Sequence, residues 1–236
     1  MYAEKLSTVK GKNVVITGNA IADEFLDPDR KIKWEWKLED RSIKRIIYAP
    51  HHSIYDEGSL TYSTFLECAD QMIELAKRYR TRVQFIFKPH PMLKSKLIFN
   101  VSNWGKERTE NYYRKWAEME NTAISEGDYV DIFLTSDAMI HDCSTFTAEY
   151  HYTKKPVMYI TKQGHEDSLC EFGKMAFNLH YKGRNIIDIE KFIEEIVING
   201  KDDLKGDREN LFNNYLQPPN NKTAAQNIID EIEKYI

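Results

Sequence analysis

The chain has 236 residues, 42% of them hydrophobic and 30% charged, a balance that fits a soluble globular protein with a substantial core and excludes a disordered one. A formal net charge of -4 gives no ground for a general nucleic-acid binder. No apolar run is long enough for a bilayer span, residues 1–12 lack a signal-peptide core, and Cys68, Cys143 and Cys170 form no CxxC pair, so a cytoplasmic protein without disulfides is expected.

In chain order, the β-branched run at 13–17, closed by Gly18-Asn19, predicts a first strand. Residues 23–40 are charged and contain Pro28, which predicts a surface loop pinned by Trp34 and Trp36; alternation would put both rings on one face. Residues 45–49 predict a buried strand ending at Pro50-His51-His52-Ser53. A helix follows over 61–79, where Phe65, Met72, Ile73 and Ala76 recur at helical spacing. Residues 83–87 predict a strand ending at Lys88-Pro89-His90-Pro91, and 109–124 a helix with Thr109 as its cap.

A short helical turn at 132–136 precedes a strand at 138–141, a turn of Asp142, Ser144 and Thr145, and a helix at 146–152. Further strands are predicted at 156–160 and 176–180, with helices at 187–198, 208–215 and 223–236. Alternation of this kind predicts an α/β fold: a Rossmann-like parallel sheet with helices on both faces. The whole span 1–236 reads as one domain, its only linker-like stretch lying at 217–221.

In an open parallel sheet, ligands bind beyond the carboxyl ends of the strands. Three strands here end in residues suited to a phosphorylated ligand: His51-His52-Ser53, Lys88 to Pro91, and Asp142 to Thr145. Ser144 and Thr145 at a helix start suit either a capping role or phosphate binding. Prolines on both sides of His90 fix the backbone around one imidazole. His51, His52, His90, His141 and Cys143 are possible metal ligands by type, but no pair has the spacing of a familiar zinc motif, so neither a metal nor another cofactor is expected. Neither a P-loop nor GxGxxG is present.

Tyr48-Ala49-Pro50, Phe87 to Pro91, Ser136-Asp137, Ile140 to Thr145 with Glu149-Tyr150, and Lys155-Pro156-Val157 resemble, in that order, the carboxy-terminal half of the CDP-glycerol glycerophosphotransferases. These GT-B-type enzymes make teichoic acids and related capsule or surface polymers. The resemblance implies one half of a GT-B fold acting as a donor-nucleotide domain. His90, Ser144 and Thr145 would hold the diphosphate of a CDP-linked donor, with Asp142 shaping the turn, Lys88 and Ser53 nearby, and Glu149 facing the ribose. His51 or His52 would take the acceptor proton. It also implies a polymer acceptor, an acceptor domain or partner chain outside this sequence, a last helix (222–236) of the kind that crosses to that domain, a homo-oligomer as one form of assembly, and peripheral attachment at the inner face of the membrane.

Three departures stand out. His51-His52-Ser53 replaces a Thr followed by an aromatic and basic pair, His141-Asp142-Cys143 alters the flank of the hydroxyl turn, and no Trp-His pair is present to supply the usual base. Two alternatives therefore stand beside the first reading: a CMP-sugar glycosyltransferase of the sialyl- or Kdo-transferase type, and a non-catalytic nucleotide-binding or assembly module. A UDP-sugar epimerase has a similar fold and fits less well.

Overall fold

The computed structural model describes residues 8–55, 62–162 and 164–236, which group into two compact units. The larger, Lys31–Leu211, is built on six parallel strands: β1 (Lys44–Ala49), β2 (Val83–Phe87), β3 (Thr122–Ile124), β4 (Ala138–His141), β5 (Val157–Ile160) and β6 (Tyr181–Gly183). Their order is β3-β2-β1-β4-β5-β6, so the chain builds outward from β1 to one side and then crosses back to build the other. Register places Tyr48 of β1 opposite both Phe87 and Ile140, which aligns the ends of the three central strands.

The central strands are continuous apolar runs because helices cover both faces of the sheet. The helix Phe65–Arg78 buries Phe65, Cys68, Ala69, Met72, Ile73, Leu75 and Ala76 on one stripe. Around β1 and β2 lies an aromatic core in which Trp116 stacks on Phe87 at 5.1 Å and lies 6.0 Å from Tyr48. Since Trp116 is fully buried, Trp116→Ala is expected to lower the unfolding free energy by about 3–5 kcal/mol in urea denaturation.

Several sequence expectations are corrected. Residues 13–17 are not a strand: Val14, Val15 and Ile16 are exposed and pair with nothing in the sheet, and β propensity without a partner ladder does not make a strand. Residues 176–180 are not a strand either. They close the helix Glu171–Asn178, where buried Ala176, Phe177 and His180 follow a helical spacing. The helix expected at 109–124 spans Gly105–Glu118 and gives way to β3, an edge strand too short to leave a periodic signal. Thr109 is therefore interior, its hydroxyl donating to the Gly105 carbonyl rather than capping. A helix at Leu93–Phe99 had no counterpart in the sequence reading, and the helix expected at 146–152 is α-helical only over Phe146–Glu149 before tightening to 3-10 over Tyr150–Thr153.

The two loop tryptophans part company. Trp36 is buried and donates to the Thr135 hydroxyl, whereas Trp34 is 44% exposed beneath the Arg45 guanidinium.

The smaller unit comprises the described residues of Met1–Arg30 and Phe212–Ile236. Its last helix, Ala224–Glu233, starts on a Thr223–Gln226 capping box, and the Asp23 carboxylate accepts from the amides of Ala224 and Ala225 at 2.7 and 2.9 Å. Gly18 sits at φ +100, and a Cβ there would lie 3.0 Å from that of Pro218. A side chain would be strained on both counts.

Candidate functional site

Parallel pairing sets the turns after β1 and β2 side by side, and backbone bonds continue the ladder beyond the strands. Lys88 N donates to the Tyr48 carbonyl at 2.8 Å and His90 N to the Pro50 carbonyl at 3.1 Å. Prolines 89 and 91 narrow the choices of the residue between them. Three half-buried imidazoles gather as a result: ring centroids are 4.3 Å apart for His51 and His52, 4.9 Å for His51 and His90, and 3.9 Å for His52 and His90.

Asp142, at the end of β4, ties this cluster to the third central strand. Its buried carboxylate accepts from His51 N at 2.5 Å, from Thr64 N at 2.6 Å and from the Thr64 hydroxyl at 2.9 Å. Burial pushes the carboxyl up to about 6, against the pull of the hydrogen bonds from Thr64 and His51. Asp142 thus shapes the turn from behind rather than offering an open carboxylate.

The tautomers are set by what faces Nδ1. Met92 N donates to His90 Nδ1 at 3.1 Å, so that nitrogen keeps its lone pair and Nε2 carries the proton. His51 Nδ1 receives Ser53 N at 3.3 Å and lies 2.7 Å from the Ser53 hydroxyl, whose oxygen already accepts from Tyr62 N. The Ser53 hydroxyl therefore donates to His51, and His51 also presents Nε2–H. Burial, with His52 and Lys88 adding to it, holds His90 down to about 4, so it is a neutral donor at physiological pH.

Ring nitrogens of His51, His52 and His90 lie within 4.8 Å of one another, the spacing that would admit a metal ion. The ring arrangement argues otherwise. Three imidazoles around a tetrahedral ion at about 2.0–2.1 Å would hold their centroids about 5 Å apart, whereas His52 and His90 overlap at 3.9 Å with a 31° tilt. Nδ1 of both His51 and His90 is also met by backbone N–H groups. Proton-bearing Nε2 atoms suit an oxyanion.

The other expected residues fall as follows. Ser144 is half-buried and Thr145 exposed; Thr145 occupies the N-cap position of the short helix without a side-chain cap, so its hydroxyl is not used as a simple cap. Lys88 is buried and commits its ammonium to the Gly127 carbonyl at 2.8 Å, fixing that loop, and burial lowers its pKa. Glu149 is half-buried, raised by burial, and accepts from the Tyr129 hydroxyl at 2.7 Å. Tyr129 was not singled out from the sequence because it lies before a short helix, away from any strand end.

His141 lies apart from the cluster, in the core. Its Nε2 is 3.1 Å from that of His180, whose Nδ1 in turn bonds the Ala176 carbonyl, and burial lowers both histidines. Beyond β5 and β6 the same sheet edge opens into a cavity of about 420 Å³ lined by Lys162, His165, Lys182 and Arg184 among others. No helix among the described residues is long and apolar enough to cross a membrane.

A family model described as CDP-glycerol:poly(glycerophosphate) glycerophosphotransferase matches residues 4–234. Teichoic acid ribitol-phosphate polymerase TarL of Staphylococcus aureus (strain NCTC 8325 / PS 47) is 26% identical over 163 residues, covering 67% of this chain and 26% of TarL. The wall teichoic acid polymerase TagF superposes with a TM-score of 0.52 at 17% identity, over 83% of this chain and 44% of that one. S. aureus MnaA, in a co-structure with UDP, superposes with a TM-score of 0.53 at 16% identity, over 95% of this chain and 54% of that one. The structural likenesses carry the fold, an α/β unit matching half of a GT-B-like molecule. The chain spans about a quarter of the length of TarL, the curated relative that it matches.

Proposed function

The chain belongs to the CDP-glycerol:poly(glycerophosphate) glycerophosphotransferase family, and from that premise we propose that it is the donor-binding part of a transferase moving glycerophosphate, or a similar polyol phosphate, from a CDP-linked donor to a polymer hydroxyl. The observation that carries this reading is the meeting of His51, His52 and His90 at the ends of β1 and β2, with Nε2–H groups on His51 and His90 at the edge where a diphosphate would lie. The turn Asp142 to Thr145 bounds the same edge and adds the hydroxyls of Ser144 and Thr145, while Glu149, steadied by Tyr129, is assigned to the ribose. Lys88 acts through the loop that it fixes.

In the reaction, the acceptor oxygen attacks the distal phosphorus, the bond from that phosphorus to the bridging oxygen breaks, and CMP leaves with the electron pair. Charge growing on the bridging oxygen is met by the imidazole N–H groups. His51 serves the diphosphate, since its Nδ1 lone pair is already engaged by Ser53, which leaves His52 as the imidazole that takes the acceptor proton. The protein works against the inner face of the membrane.

Calorimetric titration separates the readings. CDP-glycerol is expected to bind at least tenfold more tightly than a CMP-sugar or UDP-N-acetylglucosamine. Tighter binding of the CMP-sugar would move the assignment to a glycosyltransferase, and no binding of any of the three would leave an assembly module.

A further inference from the structure

We propose that His180 is a positioning residue for the donor turn: acting through His141, it holds the Cys143 amide and with it the segment that carries Ser144 and Thr145. The inference rests on the donor-domain reading for what that turn binds, and on a line of buried hydrogen bonds for the rest.

The line starts at a carbonyl. Ala176 lies in the last turn of the helix Glu171–Asn178, where carbonyls lack their usual helical partners. Its oxygen meets the Leu179 amide at 3.1 Å, His180 Nδ1 at 3.0 Å and His151 Nε2 at 3.0 Å. A carbonyl only accepts, so His180 Nδ1 carries a hydrogen. His180 and His141 are 3% and 0% exposed, and no carboxylate among the described residues bonds either ring. Burial keeps both rings neutral, and His151 beside them adds to the opposition.

A neutral imidazole has one N–H, so His180 Nε2 holds a lone pair. His141 Nε2, 3.1 Å away, donates to it, and His141 Nδ1 is left bare. That nitrogen lies 3.2 Å from the Cys143 amide nitrogen and 3.1 Å from the Cys143 carbonyl oxygen. Without a hydrogen of its own it takes the amide. The carbonyl is served instead by the Thr147 hydroxyl at 3.2 Å. A carbonyl on one helix therefore decides which backbone group is bonded two residues past the end of β4, on the turn where Ser144 and Thr145 begin. Without an acceptor on His180, the hydrogen on His141 Nε2 would be buried and unpaired. Moving it to Nδ1 aims it at the Cys143 carbonyl and releases the Cys143 amide.

Two asparagine variants test this. H180N keeps an N–H near the place of Nδ1, for the Ala176 carbonyl, but has no atom at the place of Nε2. H141N keeps an oxygen near the place of Nδ1, for the Cys143 amide, but does not reach His180. In calorimetric titration, H180N is expected to weaken CDP-glycerol binding about tenfold, the effect of one lost hydrogen bond. In the H141N background the same change is expected to cost less than about twofold, because the path to the turn is already cut. Nitrogen NMR of the free wild-type chain is expected to show His141 as the Nε2–H tautomer and His180 as the Nδ1–H tautomer, with a scalar coupling between their Nε2 atoms across the shared hydrogen. In H180N, His141 is expected as the Nδ1–H tautomer, with faster hydrogen exchange at the Cys143 amide.

A wild-type His141 found as the Nδ1–H tautomer, or protonated on both nitrogens, would overturn the inference and leave the donor assignment standing. Wild-type affinity in H180N would do the same, as would losses that add in the double variant, which would mark His180 as a packing residue only. Absence of CDP-glycerol binding by the wild-type chain would reject the donor reading. The cross-bond coupling and the Cys143 exchange rate, both measured without ligand, then decide whether His180 holds the turn.

Discussion

His90→Ala is expected to lower transfer about 10²–10³-fold, measured from CDP-glycerol to a polymer acceptor, while leaving thermal unfolding nearly unchanged. The magnitude is that of removing one donor aimed at a developing oxyanion. The small stability effect follows from position: the ring is half-buried and its one local bond is accepted from Met92 N at the mouth of the site. Two further variants separate the ring's duties. His90→Asn can still accept from Met92 N but has no atom at the place of Nε2, and should be almost as inactive as the alanine variant. His90→Gln restores an N–H near that place and should recover part of the rate. Equal, near-normal activity in all three would remove His90 from the chemistry.

Asp142→Ala should act in the opposite way, through the fold first. The carboxylate is fully buried and satisfies two backbone amides and one hydroxyl drawn from two other segments. Leaving those donors without an acceptor is expected to cost about 3–5 kcal/mol in urea denaturation, on a scale of about 1–3 kcal/mol for each buried group left unpaired. The turn that holds His51 would loosen at the same time, so donor affinity should fall even at temperatures where the variant is folded. Asp142→Asn should recover little, because its NH₂ must face one of the same donors. A loss below about 1 kcal/mol with unchanged donor affinity would show that Asp142 does not brace the site.

Much of this architecture was legible in the chain because buried parallel strands are written as short apolar runs. Residues 45–49, 83–87 and 138–141 stand out, and the polar residues after them mark the edge where the three histidines gather. The runs at 13–17 and 176–180 misled for opposite reasons. The first has strand-forming residues but no partner strand among the described residues, and the second has a helical spacing that its apolar content obscured. At the site, the residue types following each strand were visible, but their tautomers were not. Those depend on Ser53, Tyr62 and Met92, whose amides and hydroxyl reveal their part only once the turns are folded. Nor did the sequence show that Lys88 donates to the Gly127 carbonyl, a contact between residues 39 positions apart.

The carboxylate that clamps His51 lies 91 positions downstream of it, so a chain under synthesis exposes both imidazole turns well before the residue that fixes them emerges. Closing a loop of that length costs entropy before any contact offsets it. The histidine site is therefore completed late, in the same event that seats 138–141 beside 44–49, and a truncated chain lacking that strand would hold the histidines without the carboxylate that fixes them.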